Sequence, residues 1–149
     1  MSSITLGDTP LGYRDLVAVA RDGARLEISA AAWARIANAQ AIVQRIVASG
    51  ERAYGISTGL GALSNVLLHG EQLAQLSRNT LLSHACGVGP LLSEAQTRAI
   101  LVAALANFCQ GYSGLQPKVV EGLQALLNLH ITPCVPSQGS VGYLTHMAH

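Results

Sequence analysis

This sequence predicts a mainly helical protein with little or no strand, and three observations predict it. Half of its 149 residues are apolar, so a sizeable core is within reach on area grounds. Aromatic residues make up only 4% of the chain, which leaves Leu, Val, Ile and Ala to build that core, the side chains of helix-on-helix packing. Apolar positions also recur at helical spacing in several stretches divided by glycine-rich turns.

In chain order, "TPLGYRDLVAVARDG" reads as one short helix ended by Gly23, and "ARLEIS" as a short strand. The next helix follows Ser29, an N-cap residue, and sets Trp33, Ile36, Val43, Ile46 and Val47 on one face before Gly50 stops it. A weaker pattern runs from about Glu71 to Ser83, with Leu73, Leu76 and Leu81 near helical spacing. The third strong helix opens on "SEAQ", where Ser93 and Gln96 form a capping box, and continues to Gly111. It is apolar nearly all round, so burial among other helices is expected. The last starts at Pro117, suited to a first turn, and carries Val119, Val120, Leu123, Leu126 and Leu127 to about Asn128. No internal repeat, low-complexity tract or interdomain linker interrupts this order. One unit spanning residues 1–149 is therefore expected.

Charge and composition exclude several classes of function. Nine Lys and Arg against eight Asp and Glu give a net charge of +1, spread along the chain, so no basic stripe exists to follow a phosphate backbone. No apolar run approaches the ~20 residues of a membrane span. The start "MSSITLGDTP" lacks the regions of a signal peptide, so a cytoplasmic protein is expected. Cys86, Cys109 and Cys134 match neither zinc nor CxxC spacing. They read as reduced thiols packed in a core, with no metal.

Two glycine-rich segments are candidates for chemistry. In "AYGISTGLGALSN", Gly55, Gly59 and Gly61 let the backbone turn sharply and approach a ligand, although neither GxxxxGK[ST] nor GxGxxG is present. On spacing alone this is either a linker with a surface tyrosine or a lid on which Tyr54 transfers a proton. In "RNTLLSHACGVG", His84 lies between an apolar run and two glycines, as either a hydrogen-bonded core residue or a ligand-binding imidazole.

Taken together and in order, these segments resemble the histidine and aromatic amino-acid ammonia-lyases. "YGISTGLGALSN" is similar to the family's YGxNTGFGxL loop and "RNTLLSHACGVG" to its NLxxSHAxGxG stretch. "GYSGLQPKVVEGLQALLNLHITPCVPSQGSVG" is similar to the segment leading to the prosthetic group, and the likeness spans roughly residues 25 to 149. The resemblance implies the N-terminal part of the ammonia-lyase helical fold, with glycine-rich active-site loops. It also implies elimination of ammonia to give an α,β-unsaturated acid. The family's electrophile is 4-methylidene-imidazole-5-one (MIO), formed by cyclisation and dehydration of an internal Ala-Ser-Gly.

Carried over by position, Tyr54 matches the catalytic tyrosine, and Gly61 the glycine of the same loop where a side chain would obstruct the cofactor. Ser83 and His84 match the pair that selects the substrate ring, and a serine–histidine pair resembles the histidine-selective enzymes. His84 is thereby implied as the imidazole-binding residue, and L-histidine as the substrate. Arg78 and Asn79 match the start of that motif without an assigned role. The chain departs from the family at Ser57 for asparagine, Leu60 for phenylalanine, and Ala104 and Ala106 in place of an Arg-x-Asn pattern.

The largest departure follows "GSVG". The family continues with Ala-Ser-Gly and a run like DLAPLAH, whereas this sequence passes from Gly142 directly to Tyr143 in "YLTHMAH". Either the precursor is absent, or its three residues have fused into one group that a one-letter string does not print. Family members run to several hundred residues and assemble as tetramers, with further active-site side chains on a long helical bundle. The resemblance therefore implies a part of a lyase, completed by a C-terminal portion and a homotetramer. Two other readings share these motifs: a homologue without the electrophile, serving as a binding or assembly module, and an MIO-dependent aminomutase.

Overall fold

The computed structural model describes residues 2–61 and 64–139. Among them lie five helices and four short strands: β1 Ser3–Leu6, α1 Tyr13–Ala20, β2 Arg25–Ile28, α2 Ala30–Ser49, α3 Glu71–His84, β3 Val88–Leu91, α4 Glu94–Phe108, α5 Pro117–Asn128 and β4 Pro136–Gln138. The mainly helical class and the five expected helical stretches are present. Strands β1, β3 and β4 were not anticipated, being three or four residues long and without the alternation that marks β2.

Where the sequence suggests one unit, the backbone contacts divide the chain into two. The first unit comprises residues up to Ile42 and Leu92–Cys134, and it holds the hydrophobic core. Its β1 and β2 pair in parallel, Ile4 opposite Leu26 and Leu6 opposite Ile28, with α1 as the crossover that a parallel pair requires. In β2, Leu26 and Ile28 face the core while Arg25 and Glu27 face out, the period of two expected of a half-buried strand. The carboxamide of Asn128 continues the pairing of β2: Oδ1 accepts from the Leu26 N–H at 2.8 Å and Nδ2 donates to the Leu26 carbonyl at 2.9 Å.

Ser29 caps α2 as expected, its Oγ accepting from the Ala32 N–H at 3.1 Å. The capping box of α4 is also formed, with the Gln96 N–H donating to Ser93 Oγ at 3.3 Å and the Ser93 N–H to Gln96 Oε1 at 2.9 Å. Only one face of α4 is covered, however. Leu101, Val102 and Leu105 are buried while Ile100 is exposed, so within the described residues this apolar helix is covered along one face. Hydropathy alone cannot locate the covered face of a helix that is apolar on every side.

Arg98, on the buried face of α4, is 3% exposed. Its guanidinium donates to the Val19 carbonyl at 2.8 Å and the Leu127 carbonyl at 3.1 Å, in the last turns of α1 and α5. A cation at two helix C-termini meets carbonyls of both last turns and the negative ends of both dipoles. Arg35 works similarly on loops, donating from Nε to the Cys109 carbonyl at 3.1 Å and from Nη2 to the Gly7 carbonyl at 2.6 Å.

Candidate functional site

The second unit comprises Val43–Leu91 and the described residues from Val135 onward. It contains Tyr54, Gly61, Ser83 and His84, together with the strand β4 that precedes "GSVG". Gly142 and Tyr143, the residues flanking the expected cofactor position, lie outside the described residues.

The glycine-rich loop is tied down by short polar side chains. Ser57, only 4% exposed, accepts from the Ala53 N–H at 2.9 Å and donates to the Glu51 carbonyl at 2.6 Å. Thr58 is fully buried and donates to the Gly59 carbonyl at 3.1 Å. Beyond it the chain doubles back: Thr58 bridges Leu67, the Gly59 N–H donates to the Val66 carbonyl, and the Leu68 N–H to the Ser57 carbonyl. In the sequence Ser57 stands out only as a replacement for the family's asparagine, and Thr58 does not stand out at all. The available signal was two hydroxyl residues wedged among glycines, where side chains commonly bond neighbouring backbone.

Against that anchored base, Tyr54 is 58% exposed. The Gly61 N–H donates to Tyr54 Oη at 3.5 Å, a long contact that leaves the hydroxyl free for another partner. Gly61 has φ +55°, and a Cβ placed there would meet nothing within 4 Å. Among the described residues its backbone conformation, rather than crowding, disfavours a side chain. Tyr54 and Gly61 are thus brought together.

Helix α3 carries the second pair. Leu73, Leu76, Thr80 and His84 form its half-buried stripe, whereas Leu81, expected on that stripe, is exposed beside Leu82. The stripe advances by three and then four residues, which carries it past position 81. At the helix end, His84 Nδ1 lies 2.8 Å from the Thr80 carbonyl and 2.9 Å from Ser83 Oγ. Ser83 Oγ in turn donates to the same carbonyl at 3.1 Å. Thr80, four residues before His84, went unnoticed in the sequence although helical spacing points to it. No hydrogen bond joins the Tyr54 loop to this pair among the described residues.

After α3, β3 pairs antiparallel with β4, Val88 opposite Gln138 and Leu91 opposite Pro136. This pairing sets the stretch after His84 beside the stretch before "GSVG". The thiols correct another expectation: Cys109 is buried, but Cys86 and Cys134 are exposed, lying in irregular segments between a helix and a strand. Burial pushes the Cys109 thiol above its ordinary range, against the opposing charge of Arg35. A separate cavity of about 490 Å³ in the first unit, bordered by Arg21, Asp22, Glu94, Arg98 and His130, contains none of the candidate site residues. No helix among the described residues is long and apolar enough to cross a membrane.

The family model described as aromatic amino acid lyase matches residues 11–149. A histidine ammonia-lyase of Treponema denticola is 44% identical over 149 residues, covering 98% of this chain and 29% of that protein. Among solved structures, histidine ammonia-lyase from Trypanosoma cruzi superposes with a TM-score of 0.88 at 32% identity, over 98% of this chain and 29% of the other. Tyrosine aminomutase from Streptomyces globisporus superposes with a TM-score of 0.89 at 29% identity, over 98% and 28%. The chain thus spans a little under one third of the length of these proteins.

Proposed function

This chain belongs to the aromatic amino acid lyase family, and on that premise we propose that it forms the N-terminal part of an ammonia-lyase. The substrate is L-histidine or a related aromatic amino acid, and the product an α,β-unsaturated acid such as urocanate. One observation carries this reading: the Tyr54–Gly61 loop, the Ser83–His84 helix end and the strand before "GSVG" fold into the same unit. A β-proton is barely acidic and ammonia leaves poorly, so the reaction needs an electrophile for the amine and a base for the proton.

Open space at Gly61 and the free hydroxyl of Tyr54 fit an electrophilic group approaching this loop. MIO, when bound, supplies the electrophile that captures the substrate's amino group. Tyr54 takes the β-proton, and the anchored Ser57–Thr58 turn keeps its loop in place. His84 binds the substrate ring at the end of α3. The proposal takes the Ala-Ser-Gly precursor as fused between Gly142 and Tyr143, within a cytoplasmic homotetramer serving amino-acid catabolism. Likeness to the Streptomyces globisporus enzyme supports an MIO-dependent aminomutase as the second reading.

The test is urocanate formation from L-histidine, followed by ultraviolet absorbance, with Tyr54→Phe losing at least a hundredfold in kcat. Intact mass of the protein reports the junction independently. No product from any aromatic amino acid, together with an unmodified Gly142–Tyr143 peptide bond, would sink the proposal in favour of a homologue acting as a binding or assembly module.

A further inference from the structure

At the end of α3 two side chains converge on one carbonyl oxygen. Ser83 Oγ lies 3.1 Å from the Thr80 carbonyl and His84 Nδ1 lies 2.8 Å from it, with Oγ and Nδ1 2.9 Å apart. A carbonyl oxygen only accepts, so the 2.8 Å contact is a hydrogen bond only when Nδ1 carries the hydrogen. With the hydrogen on Nε2 instead, the Nδ1 lone pair would face the carbonyl lone pairs at that distance. Ser83 completes the arrangement. Its hydroxyl hydrogen goes to the carbonyl, which leaves its oxygen lone pairs toward Nδ1–H. Nε2 has no hydrogen-bond partner among the described residues.

We propose that Thr80 and Ser83 are positioning residues that hold neutral His84 in its Nδ1–H tautomer. The Nε2 lone pair is then the recognition element, favouring substrates whose ring presents an N–H or O–H donor over a plain aromatic ring. This rests on the ring-binding role proposed above for His84, but the tautomer itself does not depend on it. Ser83 thereby acts through His84 rather than on the substrate.

The test has two arms, both on the complete protein. Multiple-bond ¹H–¹⁵N correlation with ¹⁵N-histidine at about pH 9, above the ordinary imidazole pKa of ~6.5, reads the tautomer, with His84→Gln identifying the resonance. The Nδ1–H form should dominate, lose population in Ser83→Ala and regain it in Ser83→Thr. A dominant Nε2–H form, or a Ser83→Ala spectrum unchanged from wild type, overturns the proposal whether or not the protein turns over histidine. In the kinetic arm, His84→Gln keeps an acceptor near the Nε2 position and His84→Asn does not. Asparagine should raise KM for a ring-donor substrate at least tenfold more than glutamine, about the worth of one hydrogen bond. Equal KM values alongside a dominant Nδ1–H form overturn the recognition step and, with it, the ring-binding role of His84.

Discussion

Replacing Arg98 with methionine removes a guanidinium that is 3% exposed while keeping a side chain of similar reach. Two bonds from a charged donor, to Val19 and Leu127, are lost, together worth about 3–6 kcal/mol. Part of that is recovered, because burying the ion cost several kcal/mol that the variant no longer incurs. The Leu127 carbonyl keeps a contact from the His130 N–H at 3.3 Å, so the Val19 carbonyl bears most of the damage. A net loss of about 2–4 kcal/mol follows, a large share of the ~5–15 kcal/mol that holds a domain together. Urea denaturation followed by the fluorescence of Trp33, the single tryptophan, packed against the same core, measures it directly. With a slope of ~1–3 kcal/mol per molar, the midpoint should fall by at least about 0.7 M. Arg98→Lys should fall between, since a point charge cannot fork to two helix ends. A loss below about 1 kcal/mol at unchanged slope would refute the claim that this cation secures α1 and α5.

Gly111 has φ +78°, and an added Cβ would stand 2.6 Å from Arg35 Cβ and 3.0 Å from its backbone. Gly111→Ala should cost about 2–5 kcal/mol from left-handed strain plus overpacking, and Gly50→Ala, with φ +70° but nothing within 4 Å, only about 1–2; thermal melts of the two variants check the difference. Ser57→Ala leaves the Ala53 N–H without its side-chain acceptor and should speed amide exchange across residues 51–59 about tenfold or more, read by mass spectrometry. Because burial raises the native Cys109 thiol, the unfolded chain releases that proton first. Stability is then full below the ordinary value of 9.0 and falls as pH climbs toward the raised native one. Urea midpoints measured upward from pH 8 should show the decline, and Cys109→Ala should flatten it. A maleimide should label Cys86 and Cys134 quickly in the native protein and Cys109 only after unfolding.

Much of this molecule was legible in local chemistry. The Ser29 cap, the Ser93–Gln96 capping box, Pro117 in the first turn of α5 and the alternation of Leu26 and Ile28 each act within a few residues. The order of three motifs disclosed the family for the same reason, since a loop and a helix end keep their spacing wherever they fold.

Local sequence thus places the helices and marks which loop and helix end carry the candidate chemistry, because caps, turns and periodicity act over distances shorter than one helix. Long-range packing sets which face of α4 is covered, ties the ends of α1 and α5 through Arg98, extends the pairing of β2 with Asn128, and brings β3 to β4 across more than forty residues. Those contacts join groups far apart in the chain, and no local pattern of hydrophobicity specifies which distant carbonyl a guanidinium or carboxamide will reach. The site divides the same way: Tyr54 and His84 were named by position, while the buried anchors Ser57 and Thr58 and the carbonyl of Thr80 became partners only once the backbone had turned.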